Sequence, residues 1–239
     1  MKITKITDNQ TANAPYTALL YCAPGIGKST AIGLIAEKSK GRTLVLDIDR
    51  TIDRTLNKKE IVADISRIDT VKIDNIHTFD DWSNTLIELQ KMKDAGKLNY
   101  ENIAVDNISE LERCILSDLG SQGKNKGVPA QSDYQYMQFK LVNSLRYMKQ
   151  LGINVIWTAW EDVRQIVAPD GTAYSQIIPK MSLKIIDNIC GLCDVVGKIM
   201  VKRDNTHGIL LEATSNIYAK NQIDSRKGCL VEEFSNFEI

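Results

Sequence analysis

No apolar run in this 239-residue chain approaches the roughly 18 residues that a membrane-spanning helix requires. The polar start MKITKITDNQ also lacks the apolar stretch of a secretory signal, so the expected location is cytoplasmic, without membrane contact. An excess of one charge sign is missing too. Thirty basic and thirty acidic residues cancel, so any contact with nucleic acid must rest on a local patch or an assembled surface. Cysteine is sparse and odd in number, five in all, which suits a reducing compartment and buried thiols rather than a disulfide framework. Histidine is rarer still: His77 and His207 stand alone and read as surface or loop residues rather than catalysts. Cys190-Gly191-Leu192-Cys193 has no second C-x-x-C to complete a zinc site, so it reads as two small thiols ending an apolar helix. No repeat, low-complexity tract or linker demands a second domain, which leaves a polar segment 1–15 followed by one domain over 16–239.

What is present is an ordinary globular composition, 43% hydrophobic and 25% charged, organised as alternating strands and helices. Short apolar runs at 16–21, 43–48, 102–105 and 154–158 read as buried strands, with a further short strand around Val71 and Ile73. Helical spacing marks 28–39 (Ile32, Leu34, Ile35), 79–92 (Trp82, Leu86, Leu89), 108–119 and 134–151. In the last of these, Tyr134, Tyr136, Phe139 and Tyr147 read as packing residues. Gly120, Gly123, Gly127 and Pro129 break the pattern into a mobile loop over 121–132. This alternation predicts an α/β fold with a mostly parallel central sheet and helices on both faces. The C-terminal third differs: runs at 163–168 and 172–178 flank Pro169-Asp170-Gly171, and runs at 195–202 and 208–213 flank Asp204-Asn205, predicting two β-hairpins around a helix over 180–190.

Cys22 to Thr30 carries the chemistry. Pro24, Gly25, Ile26, Gly27, Lys28 and Ser29 follow an apolar strand and open a helix, as in the phosphate-binding pattern G-x-x-x-x-G-K-[ST], with Cys22 in the place of the first glycine. Glycines let successive amides converge on phosphate oxygens, Lys28 reaches the β and γ phosphates, and Ser29 can ligate Mg²⁺. A metal-holding carboxylate belongs at the end of a later apolar strand, and Asp106, closing Asn102-Ile103-Ala104-Val105-Asp106, fits best. Water must also be oriented for hydrolysis; Asp47, Asp49, Glu110 and Glu161 are all candidates.

Three stretches together, from the glycine turn onward, resemble the RecA-like P-loop ATPases, most closely phage ATP-binding proteins of the Sak-type single-strand annealing recombinase group, across residues 16–228. The resemblance implies a RecA-like fold that binds ATP and Mg²⁺ and acts in a bacterial host cell. In the first stretch, 44–49, it implies that Asp49 activates water, where the family more often has glutamate. NIAVDNISEL (102–111) resembles the strand that supplies the metal carboxylate and again selects Asp106. NVIWTAWED (154–162) resembles the strand that senses the γ-phosphate, with Trp160 where the family has Gln or His, and Thr158 and Glu161 beside it. Family members form rings or filaments with ATP between subunits; Tyr218-Ala219-Lys220-Asn221-Gln222 resembles the segment supplying a cation in trans, implying Lys220, with Arg226 second.

Two loops beyond strand ends contact single-stranded DNA in that group, and their counterparts are 120–132, with Lys124 and Lys126, and 161–180, with Arg164, Lys180 and Tyr174 as a stacking surface. The expectation is an ATP-hydrolysing recombination protein that promotes annealing or strand exchange as an oligomer on single-stranded DNA, with a single-strand DNA-binding protein as a further partner. A small-molecule kinase and a non-catalytic nucleotide-dependent assembly factor are the alternatives. The absence of arginine from loop 121–132 disfavours the kinase, and no N-K-x-D motif points to guanine.

Overall fold

A computed structural model describes residues 14–57, 62, 64–167 and 170–237. Most of the polar segment 1–15, and Pro169 of the first hairpin turn, therefore lie outside the described residues.

Strand β1 (Thr17–Cys22) is buried throughout, and its side chains alternate between two cores. Leu19 and Tyr21 pack on one face of the sheet, while Ala18, Leu20 and Cys22 pack on the other. A strand that is apolar on both faces must lie inside a covered parallel sheet, and β1 does. One neighbour is β5 (Asn154–Val167), which leads on to β4 (Asn102–Asp106), β2 (Thr43–Asp47) and β3 (Ile68–Lys72); the other is β7 (Val195–Val201). All these pairings are parallel. Beyond β7 the sheet turns antiparallel through β8 (His207–Leu210) and β10 (Gly228–Leu230), and the short β9 (Lys220–Asn221) also pairs antiparallel with β7.

Helices α1 (Lys28–Lys38) and α2 (Ile52–Leu56) cover one face through Ile32, Ile35, Ile52 and Leu56, together with Val231 and Phe234 near the C-terminus. The other face is covered by α3 (Thr78–Asp94), α4 (Ile108–Gln122), α5 (Gln131–Lys149) and α6 (Leu183–Leu192). Trp82 and Trp157 meet edge to face, 6.2 Å between ring centroids, and Trp82 Nε1 donates to Ser144 Oγ at 2.8 Å. That contact ties α3, β5 and α5 together and is worth about 1 kcal/mol beyond the buried area. The expected architecture is the observed one: a mostly parallel sheet, helices on both faces and antiparallel C-terminal strands.

Several details differ from the sequence reading. The strand expected at 154–158 and residues 163–167 of the hairpin strand expected at 163–168 are one continuous β5, Ala168 lying outside the described residues. Its first half lies buried in the sheet, whereas its second half leaves the sheet and pairs only with β6 (Ala173–Pro179). The expected loop narrows, because α4 runs to Gln122 and α5 begins at Gln131; what remains folds back so that a Cβ on Gly120 would meet the Gly127 carbonyl at 2.8 Å. Tyr134, Tyr136 and Phe139 do not pack inside but are 45%, 62% and 70% exposed, because the buried stripe of α5 runs through Met137, Leu141, Leu145 and Met148 instead.

Candidate nucleotide-binding site

The C-terminal end of β1 runs into a turn over 23–27 and then into α1. Gly25 and Gly27 adopt φ of 82° and 118°, a left-handed backbone that side chains resist, so both positions require glycine. The Gly27 carbonyl accepts the first helical bond from Ala31 N at 2.8 Å, and no side chain caps the helix start. Amides of a helix N-terminus with no side-chain cap, reinforced by the helix dipole, form an anion cradle. Lys28 rises from this first turn, 7% exposed. Cys22 is tolerated in the glycine position because it is still part of extended β1 and its side chain lies in the core beneath α1. Burial pushes its thiol up to about 11, so it stays neutral.

Asp106 closes β4 in register with Asp47 at the end of β2 and is fully buried. Ser29 Oγ donates to its Oδ2 at 2.5 Å and Thr158 Oγ1 to its Oδ1 at 2.6 Å, so β5, β4 and α1 meet on one carboxylate. Ser29 and Asp106 together offer two oxygen ligands, which suits Mg²⁺; that ion takes one or two protein ligands and fills its remaining positions with phosphate oxygens and water. Among the described residues no set of three or more His, Cys, Asp or Glu is grouped to hold a metal unaided.

Four carboxylates were candidates for orienting water, and their surroundings separate them. Asp47 is buried and accepts from Thr51 N and Ile52 N, both at 3.4 Å, at the start of α2. Glu161 forms an ion pair with Lys198. Glu110 sits in the first turn of α4, where its carboxylate accepts from the Cys114 thiol. Asp49 alone of the four lines the cleft over the glycine turn. Asn107 Nδ2 donates to it at 2.7 Å, while Asn107 Oδ1 accepts from Glu110 N at 2.9 Å and so caps α4. Burial, followed by the neighbouring carboxylates of Asp106 and Glu110, raises Asp49 to about 7, with Lys28 opposing the shift. A carboxyl group that titrates near neutrality is suited to accept a proton.

The cleft has a volume of about 550 Å³, and besides the glycine turn and Asp49 it is lined by Thr51, Thr55, Trp160 and His207. Trp160 leaves the sheet opposite Cys22; its amide donates to Ser109 Oγ at 2.9 Å, and the Arg113 guanidinium lies 5.6 Å from its ring centre. Ser109 Oγ donates in turn to the Lys180 carbonyl at 2.7 Å, which fastens both legs of the β5–β6 ribbon to the first turn of α4. Sequence reasoning missed Asn107 and His207. An Asn followed three residues later by Glu is a helix-start signal that marks Asn107. Nothing local marks His207, which reaches the cleft through the pairing of β7 with β1 and β8.

The residues expected to act at a distance are placed as follows. Lys220 does not present a free cation: its ammonium donates to the carbonyls of Cys190, Gly191 and Cys193 at 3.2, 3.1 and 2.6 Å, capping the negative end of α6. Arg226 is likewise engaged by Asp224 and by the Glu233 and Phe234 carbonyls. Lys124 and Lys126 are exposed in the loop before α5, and Lys180 is exposed at the foot of the ribbon. Arg164 is half-buried on the ribbon and donates to Gln176 Oε1.

A glycine turn ending a central parallel strand, a lysine and serine opening the next helix, and an aspartate from a second strand bonded to that serine define a P-loop nucleotide-binding protein. Residues 14–223 match the AAA domain family AAA_24, and the chain belongs to that family. Among solved structures it is similar to the KaiC-like protein PH0186 from the hyperthermophilic archaeon Pyrococcus horikoshii OT3, at 14% identity and a TM-score of 0.48, covering 84% of this chain and 80% of that one. No curated protein matches the chain. No helix among the described residues is long and apolar enough to cross a membrane.

Proposed function

We propose that the chain binds ATP with Mg²⁺, hydrolyses it slowly, and uses the cycle to assemble on and leave single-stranded DNA during phage recombination. The carrying observation is the Ser29–Asp106 contact of 2.5 Å beneath the glycine turn, with Asp49 opening onto the same cleft. Amides of the turn and of the start of α1 hold the phosphates, and the Lys28 ammonium donates to their oxygens. Mg²⁺ held at Ser29 and Asp106 would supply neutralising charge on the β and γ phosphates. Asp49 accepts the proton of a water aimed at the γ-phosphorus, and Asn107 fixes the orientation of its carboxylate. Trp160 supplies no acceptor side chain where the related group has Gln or His, which is consistent with slow turnover.

Single-stranded DNA is the substrate that the sequence resemblance supports, with Lys124, Lys126 and Lys180 as exposed cations and Arg164 on the ribbon. The closing of ATP between two copies would stabilise an oligomer by mass action, and hydrolysis would loosen it. Since Lys220 already caps α6, the cation completing a neighbour's site is left unassigned. Turnover of ATP measured with and without single-stranded DNA tests the reading, with Lys28→Ala as the control that abolishes it. Stimulation by DNA supports the proposal. Phosphorylation of a small acceptor would identify a kinase instead, and nucleotide binding without turnover an assembly factor.

A further inference from the structure

His207 opens β8, and it enters the nucleotide cleft from the β7–β8 flank of β1. Asp106, Asp49 and Trp160 enter from the opposite flank, through β4, β2 and β5. The imidazole rests on Gly27: a Cβ at that position would lie 2.8 Å from His207 Nε2 and 2.9 Å from Cδ2. The Nε2 edge of the ring therefore faces the peptide that begins α1, and only a residue without a side chain at 27 admits it there. The ring is half-buried and lines the cleft together with Lys28. Among the described residues Lys28 is the sole lysine or arginine in that lining, which also contains Asp49, with Asp106 beneath it at Ser29. A nucleoside polyphosphate brings several further negative charges, and the flank away from Asp49 and Asp106 is where an additional donor serves it without disturbing hydrolysis.

We propose that His207 is a nucleotide-binding residue whose Nε2–H donates to a non-terminal phosphate oxygen, on the side of the glycine turn away from the metal carboxylate. This rests on the reading of the cleft as a nucleotide site. Because the contact is to a phosphate shared by ADP and ATP, its loss weakens both alike.

Calorimetric titration of the full chain with MgADP and with MgATP (a slowly hydrolysed analogue for the latter) tests the assignment in wild type, His207→Ala, His207→Phe and His207→Gln. The phenylalanine variant keeps a ring over Gly27 without a donor, and the glutamine variant keeps a donor without a ring. Hydrogen bonds to charged groups imply that Ala and Phe weaken both nucleotides about tenfold, and that Gln recovers most of the loss. Circular dichroism checks that each variant is folded, and Phe carries the test should Ala not fold. Unchanged affinity in folded Phe, a loss confined to ATP, or tighter binding overturns the assignment. Failure of wild type to bind either nucleotide would instead remove the nucleotide reading itself, a result distinguishable from the others because it does not depend on residue 207.

Discussion

Replacing Asp49 with Asn separates chemistry from binding at this site. The carboxyl titrates at about 7, held there first by burial and then by the charges of Asp106 and Glu110. A general base with that value is ionised in about a tenth of molecules at pH 6 and about nine-tenths at pH 8, so kcat/KM for ATP should climb about tenfold between those values. The free enzyme's titration governs kcat/KM, so the midpoint is read without a contribution from bound phosphate. Asp49→Asn keeps the shape and the contact with Asn107 but cannot take a proton; turnover should fall about 10² to 10⁴-fold and lose the rise near pH 7. Stability should move the other way. The folded-state pKa lies above the ordinary 3.8, so the proton stabilises the fold, fully below about pH 4, and that contribution is lost as pH rises through 7. The Asn variant carries no such charge, so its melting temperature should exceed wild type by a margin that opens between pH 4 and 7 and is steady above. Stopped or coupled phosphate-release assays across pH 5.5 to 8.5, paired with thermal melts, check both halves. A variant that turns over at the wild-type rate, or a wild-type profile flat from pH 6 to 8 with binding intact, would dismiss Asp49 as the base.

Thr158→Val removes the donor at 2.6 Å from Asp106 Oδ1 without changing side-chain volume, leaving a buried carboxylate oxygen short of a partner. Urea denaturation should register a loss of about 1–3 kcal/mol. Lys220→Met withdraws the cap on α6, and the expected result is a loss of about 1 kcal/mol with unchanged ATP turnover per active site. A collapse of turnover in stable Lys220→Met protein would restore that lysine to the chemistry.

The legible parts of the sequence were those whose physics is local. Gly25, Gly27, Lys28 and Ser29 declare a phosphate turn because backbone freedom, helix start and ligand donors all fall within a few residues, and Asp106 declares itself by ending an apolar strand. The central strands are buried on both faces, so their apolar runs stand out. Helix α2 is five residues long and depends on Asp47 for its first amides, and β9 is two residues held by β7; neither has a pattern of its own. Tyr147 packs as expected, whereas Tyr134, Tyr136 and Phe139 misled because helical spacing reveals that a face exists without saying which face the sheet takes. Lys220 and His207 were beyond reach for one reason: their surroundings are set by pairings across the sheet and by the end of a helix some thirty residues away.

The hydroxyl of Ser109 has a mechanical meaning. By gripping the chain as it leaves the sheet at Trp160 and again as it returns at Lys180, it ties both legs of the ribbon to the helix that follows Asp106, while Ile177, bonded to the Tyr21 hydroxyl and the Tyr218 amide, seats the same ribbon on β1. From Glu161 to Val167 the ribbon extends about 20 Å. One hydroxyl thus joins the strand that ends beside the glycine turn, the strand that returns to it and the helix that follows the metal carboxylate.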